Sequence, residues 1–259
     1  MPTRCDDQSP AAKNGDVFMT FPQPQREAIF LRRPQRFLAE MSLPGGADEV
    51  VYCANSGAMT GCLTPGMAAI LWDSEDPERK LRYTLRAVEF EGGWIGTDTH
   101  LANRIVEEAL KMQLVPGLES YRTVAREQLL EPGFRVDFVL TGPEGECLVE
   151  VKSATVVEQG VARFPDSATP RGVKHLKALK RQALAGKRSV LLFLVQRADA
   201  DSFVVSNSHD PAYADAFDEA VAGGVEVIVL AVAVSPAGFS LPRKLPYAHE
   251  SMASVNTNN

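Results

Sequence analysis

The stretch Phe134–Lys152, FRVDFVLTGPEGECLVEVK, decides how the rest of the chain is read. Phe134, Val136, Phe138 and Leu140 alternate with Arg135, Asp137 and Val139, the period-2 pattern of a half-buried strand. Gly142-Pro143-Glu144-Gly145 is a turn signal. Cys147 to Lys152 returns as a second strand, with Leu148, Glu150 and Lys152 alternating against Val149 and Val151. A hairpin centred between Pro143 and Glu144 sets Asp137 opposite Glu150, Phe138 opposite Val149 and Val136 opposite Val151. Residues two apart share a face, so the apolar side chains gather on one side and Asp137, Glu150 and Lys152 on the other. Pairing and hydrophobic pattern thus specify the same register.

Two opposed carboxylates repel unless a cation compensates them. Mg²⁺ or Mn²⁺ would do so, since hard divalent ions take oxygen ligands, keep several waters and commonly use one or two carboxylates with phosphate oxygens. Lys152 lies within reach of a bound water or a phosphate. Metal, water and lysine together suit phosphodiester hydrolysis. The competing reading is a surface hairpin with scattered charges, in which Lys152 only neutralises Glu150.

The chain has 259 residues, 45% hydrophobic and 23% charged, an ordinary globular composition for one large or two small domains. A net charge of −6 excludes a histone-like polycation but not a local basic patch. No apolar run approaches the ~20 residues of a bilayer span, so no membrane partner is expected. The polar N-terminus lacks the apolar centre of a signal peptide. Cys5, Cys53, Cys62 and Cys147 are scattered with no C-x-x-C, which points to a reduced, cytoplasmic setting. G-x-G-x-x-G, Walker A, H-E-x-x-H and G-x-S-x-G are all absent.

Residues 1–20 read as a disordered polar tail. Residues 21–92 carry short strand-like runs, Ala28–Leu31, Val50–Cys53, Ala68–Trp72 and Tyr83–Phe90, which predict a small barrel or sandwich, with a helical turn at Gln35–Met41. Arg32, Arg33 and Arg36 cluster early and Arg79 and Lys80 later; basic loops on a small barrel suit nucleic acid, or merely solvate a β surface. Residues 93–246 turn α/β. His100–Met112 is an amphipathic helix with Thr99 as cap, and Asn103 and Glu107 share one edge. Thr169-Pro170 opens a second helix that ends at Gly186, with Lys174, Lys177 and Arg181 on one edge. Of the four histidines, His175 on this helix is the one singled out for a role. Ser189–Gln196 and Val225–Val234 are apolar strands separated by a helix from Asp210-Pro211 to Gly223-Gly224. Helices and strands in this order imply a mixed sheet flanked by helices, and residues 247–259 read as a C-terminal tail.

Several stretches converge on one family. Arg36-Phe37-Leu38-Ala39, Cys53–Gly61, Arg79-Lys80-Leu81, Asn103-Arg104, Val149–Ser153, Phe164-Pro165-Asp166 and Arg171–Leu176 resemble, in order, the sugar fermentation stimulation proteins, SfsA. The resemblance implies an α/β (α+β) chain, an OB-like β-barrel followed by a restriction-endonuclease-like domain of the PD-(D/E)XK type. It implies sequence-nonspecific DNA binding and a link to the regulation of sugar use. On that pattern Asp137 and Glu150 are the acidic residues, Lys152 the lysine, and the Val151 carbonyl an added ligand for Mg²⁺ or Mn²⁺. Glu107 would be a supporting helix acid. Arg171, Lys174 and Lys177 would meet the nucleic-acid backbone, joined by Arg32, Arg33 and Arg36 from the barrel. The chain departs from the family at Tyr52, Ala54 and Phe134, and none of these removes a carboxylate or the lysine. A DNA-binding regulator without cleavage remains the alternative.

Overall fold

The computed structural model describes residues 17–249 apart from 56, 58 and 60. Its elements begin with β1 (Val17–Met19), β2 (Gln25–Gln35), β3 (Leu38–Ser42), β4 (Asp48–Cys53), β5 (Ala68–Asp73), β6 (Tyr83–Phe90) and β7 (Gly93–Gly96). Strands β4, β3, β2, β5 and β6 are neighbours in that order, and β4 also pairs with β6. The ring therefore closes into an OB-like barrel, which removes the free edges of so short a sheet. Phe30, Met41, Val51, Leu71 and Leu85 fill it. The helical turn expected at Gln35–Met41 is instead the reversal into β3, where Ala39 and Met41 are buried and their neighbours half-exposed. That alternation is a strand period, and barrel closure outweighs the local helix preference.

Next come α1 (Thr99–Lys111), β8 (Thr123–Glu131), β9 (Phe134–Gly142), β10 (Gly145–Ala154), β11 (Val156–Glu158) and β12 (Val161–Phe164). They are followed by α2 (Pro170–Leu184), β13 (Arg188–Val195), β14 (Ser202–Val205), α3 (Pro211–Ala222) and β15 (Glu226–Ala231). The chain closes with β16 (Val234–Ser235), β17 (Gly238–Ser240), β18 (Arg243–Lys244) and β19 (Tyr247–His249). The central mixed sheet runs β18-β15-β13-β10-β9-β8, parallel from β10 through β15. Helix α1 covers one face: Leu101, Ile105 and Leu110 pack with Val149, Leu192 and Leu230. Helices α2 and α3 cover the other: Leu176, Leu179 and Phe217 pack with Leu148, Leu191 and Phe193. Successive residues of β13 thus serve opposite cores, as a strand covered on both faces requires.

Both helices α2 and α3 start as the sequence predicts. Thr169 accepts a hydrogen bond from the Gly172 amide and Asp210 from that of Tyr213, each before a proline. At α1 the cap is Asp98, not Thr99; Asp98 accepts from the His100 amide at 2.8 Å while the Thr99 hydroxyl donates to the Ala54 carbonyl at 2.7 Å. Two stretches expected as tails carry strands. Val17–Met19 pairs with β17, anchored by buried Met19 and Phe21, and Tyr247–His249 lies parallel to β14. Residues 1–16 and 250–259 lie outside the described residues. Cys53, Cys62 and Cys147 are free and buried. No helix among the described residues is long and apolar enough to cross a membrane.

Candidate functional site

The hairpin adopts the expected register. Gly145 pairs with Gly142 and Val149 with Phe138, and Gly145 takes a φ of +98° that favours glycine. The ladder stops there. Beyond it the Asp137 carboxylate itself accepts the Val151 amide at 2.8 Å, replacing a strand-to-strand bond with a side-chain one. Asn103 of α1 donates to the other Asp137 oxygen at 2.8 Å.

The hairpin is not half-buried, as its alternation implied. Leu148 is buried beneath α2 and α3, and Glu150 is only 2% exposed. A carboxylate so placed must be compensated. Lys152 Nζ donates to Glu150 Oε1 at 2.6 Å, and His175 Nδ1 contacts the same oxygen. Arg171 Nε donates to His175 Nε2 at 3.3 Å, so the ring proton belongs on Nδ1, facing Glu150. Phe134 sets its ring edge-on to His175, with centroids 5.4 Å apart. Glu150 Oε2 is buried with no hydrogen-bond partner. Burial works to raise the Glu150 pKa, but Lys152 and His175 outweigh it and hold the group down at about 2. Asp137 goes the other way: burial first, then the Glu150 charge, push its carboxyl up.

Both carboxylates open into one cleft of about 800 Å³ between barrel and sheet. Its floor is acidic, while the exposed guanidinium groups of Arg36, Arg135 and Arg171 stand at its rim. Asp166 clasps the two walls: it accepts from the Met59 amide at 3.3 Å, and a Cβ on Gly57 would lie 2.3 Å from its carboxylate. Among the described residues no three His, Cys, Asp or Glu side chains form a metal cluster, so the acid set here is a pair.

The structure brings Asp137, Glu150, Val151, Lys152, Arg36, Arg171 and His175 together at the cleft. Other expected residues lie elsewhere. Glu107 is taken by Lys111 at 2.8 Å and Arg126 at 3.1 Å. Arg32 pairs with Glu40 at 2.7 Å. Arg33 donates to the carbonyls of Asn55, Gly57 and Arg36 at 2.6, 2.9 and 3.1 Å, holding the turn that forms the cleft wall. Arg79 stacks on Trp72, and Lys80, Lys174 and Lys177 are exposed away from the cleft lining. Asn103, Arg135, Arg163 and Asp166 line the cleft without having been singled out for it. Arg135 was readable, being two residues from Asp137 on one strand; Arg163 lies on the short strand β12 and Asp166 in the break after it, whose path no local pattern fixes.

Two family models match the chain in series, the SfsA N-terminal OB domain over residues 31–97 and the sugar fermentation stimulation protein RE domain over residues 100–238. A sugar fermentation stimulation protein homolog of Geotalea uraniireducens is 41% identical over 227 residues, 88% of this chain and 98% of the relative. That of Rhodospirillum centenum is 43% identical over 229 residues, again 88% and 98%. The solved structure of Pyrococcus furiosus SfsA in complex with Ca²⁺ superposes with a TM-score of 0.82 at 29% identity, covering 90% of this chain and 99% of that one. Barrel, mixed sheet and residue matches along nearly the whole length agree, and the chain belongs to the sugar fermentation stimulation protein family.

Proposed function

We propose that this protein binds nucleic acid, DNA foremost, without sequence preference and hydrolyses phosphodiesters with Mg²⁺ or Mn²⁺, its second domain being nuclease-like. The single observation that carries the reading is Glu150 Oε2, a buried carboxylate oxygen with no hydrogen-bond partner, on a residue that lines a cleft shared with Asp137. A buried orphan acceptor is costly, and a cation is what satisfies it. Asp137, Glu150 and the Val151 carbonyl would hold the ion, and two carboxylates suit a metal that keeps its waters. The P. furiosus relative, whose structure contains Ca²⁺, supports a divalent ion in this family. When bound, the metal supplies Lewis-acid stabilisation and a more acidic water. Lys152, tethered to Glu150, positions that water or meets charge developing at phosphorus. His175 and Asn103 are positioning residues that fix the two carboxylates. Arg36, Arg135 and Arg171 take backbone phosphates at the rim.

The test is cleavage of labelled single- and double-stranded DNA and RNA with Mg²⁺ or Mn²⁺. Wild type should cut, and Glu150→Ala and Lys152→Ala should each lose about a hundredfold or more of rate while still binding. Salt-sensitive binding with no cleavage by wild type would sink the catalytic half and leave a binder.

A further inference from the structure

A second polar pocket lies where the barrel meets the start of α1, on the far side of the Asp98–His100 turn from the cleft. Three guanidinium groups line it: Arg79, Arg86 and Arg104. The one carboxylate there is Asp98, which pairs with Arg86 while capping α1. The charged lining therefore sums to three positive and one negative, a surplus of two. Arg86 is 8% exposed, and its Nε has no hydrogen-bond partner; Arg79 Nη1 is likewise buried and unpartnered. Arg104 is exposed and forms no ion pair among the described residues. Trp72 is flanked by Arg79 at 4.9 Å and Arg86 at 5.1 Å, which fixes both side chains. Burial first, and then the charges of Arg104 and Arg79, pull the Arg86 pKa down to about 10. A site that crowds like charges around unsatisfied donors lacks an anion.

What kind of anion follows from the neighbours. Phe37 is 46% exposed and lies nearly parallel to Tyr52, with centroids 6.4 Å apart; Tyr52 in turn lies 6.4 Å from His100. Phe37 follows Arg36 of the cleft rim, and Tyr52 and His100 line the arginine pocket. The row of rings thus ends in the arginine pocket, with Phe37 and His100 exposed and Tyr52 half-buried between them, and rings in series stack bases. A surplus of two positive charges matches a phosphate monoester, which carries close to two negative charges near neutral pH, better than a singly charged diester.

We propose that Arg79, Arg86 and Arg104 form a pocket for the terminal phosphate of a nucleic-acid strand whose bases lie along Phe37, Tyr52 and His100. The assignment rests on the nucleic-acid reading above and adds to it a strand end.

Fluorescence anisotropy of the full chain tests it, with metal chelated to prevent cleavage. The probes are single-stranded oligonucleotides of one sequence bearing a 5′-phosphate, a 3′-phosphate or hydroxyls at both ends. One phosphorylated end should bind about tenfold tighter than hydroxyl ends, the scale of one charge-assisted hydrogen bond. Arg104→Gln, at an exposed position, should abolish that preference with hydroxyl-ended binding nearly unchanged; Arg104→Lys should keep part of it, and Arg79→Gln is the second variant. Equal binding of all three probes, or a preference that survives Arg104→Gln, overturns the pocket alone. Binding of no probe refutes the nucleic-acid reading and the pocket with it. Thermal stabilisation by inorganic phosphate that needs Arg104, with no end preference, overturns the strand-end assignment in favour of a free-phosphate site.

Discussion

Lys152→Met isolates the charge balance of the cleft. Lys152 Nζ lies 2.6 Å from Glu150 Oε1, with the two side chains 15% and 2% exposed. Removing one partner of a buried pair costs roughly 3–5 kcal/mol. Partial solvent access to the lysine and the remaining His175 contact reduce this, to about 2–3 kcal/mol. At about 2–4 °C per kcal/mol for a chain near this size, the metal-free melting temperature should fall by roughly 4–12 °C. Glu150→Gln combined with Lys152→Met should recover most of the loss, because no uncompensated charge remains. Divalent metal should then discriminate. An ion present at a hundred times its Kd stabilises the folded state by about 2.7 kcal/mol. Mg²⁺ or Mn²⁺ should raise the melting temperature of wild type and, by replacing the missing cation, at least as much that of Lys152→Met. Glu150→Gln should respond weakly. Differential scanning fluorimetry across a metal titration reads all four proteins. A Lys152→Met protein as stable as wild type, or a Glu150→Gln protein with the full metal response, would refute the reasoning.

Arg33→Lys should cost about 1–3 kcal/mol in urea unfolding, because one ammonium cannot serve carbonyls of Asn55, Gly57 and Arg36 together. Arg32→Ala, which breaks an exposed pair with Glu40, should cost under about 1 kcal/mol; equal costs would remove the structural role of Arg33. The Asp73 pKa is lowered, chiefly by hydrogen bonds from Arg82 at 2.6 and 2.8 Å. The folded state therefore binds this proton less readily than the unfolded one, so the contribution is full above the ordinary carboxylate range and is lost as pH falls through the folded value. Asp73→Asn should be less stable than wild type at neutral pH and converge on it in acid, as followed by melting temperature against pH.

The parts of the fold that were legible are those with local causes. Alternation and a tight turn fixed the register of β9 and β10, and Thr169-Pro170 and Asp210-Pro211 marked two helix starts. The single apolar face that the alternation implied does not form: Val136 and Leu148 pack under α2 and α3, Phe138 and Val149 under α1, and Asp137 and Glu150 instead meet where the ladder ends, Asp137 held by Asn103 of α1 and Glu150 by His175 of α2. What could not be read depends on contacts distant in sequence. Whether Glu150 faces water or α2 is settled by packing across 25 residues to His175, which the hairpin alone does not encode. Arg33 looks like a free cation in sequence, yet two of the carbonyls it holds, those of Asn55 and Gly57, lie more than twenty residues away. Gln35–Met41 fits either a helical turn or a strand until the barrel closes on it. Glu107 shares a helix edge with Asn103, but Arg126 of β8 captures the acid and leaves only the amide to reach Asp137.

The two-residue turn at Pro143-Glu144 bears on how such a site can change over generations. Residues added to the loop beyond the Gly142–Gly145 pair leave every rung below it in place, so the interval between Asp137 and Glu150 is free to lengthen. One residue added within either strand instead turns Asp137, or Glu150 and Lys152, to the opposite face and dissolves the site in a single step. Length variation is therefore expected to collect at that tip alone, and a search pattern that fixes the spacing of the two acids would pass over proteins in which the same carboxylates still meet.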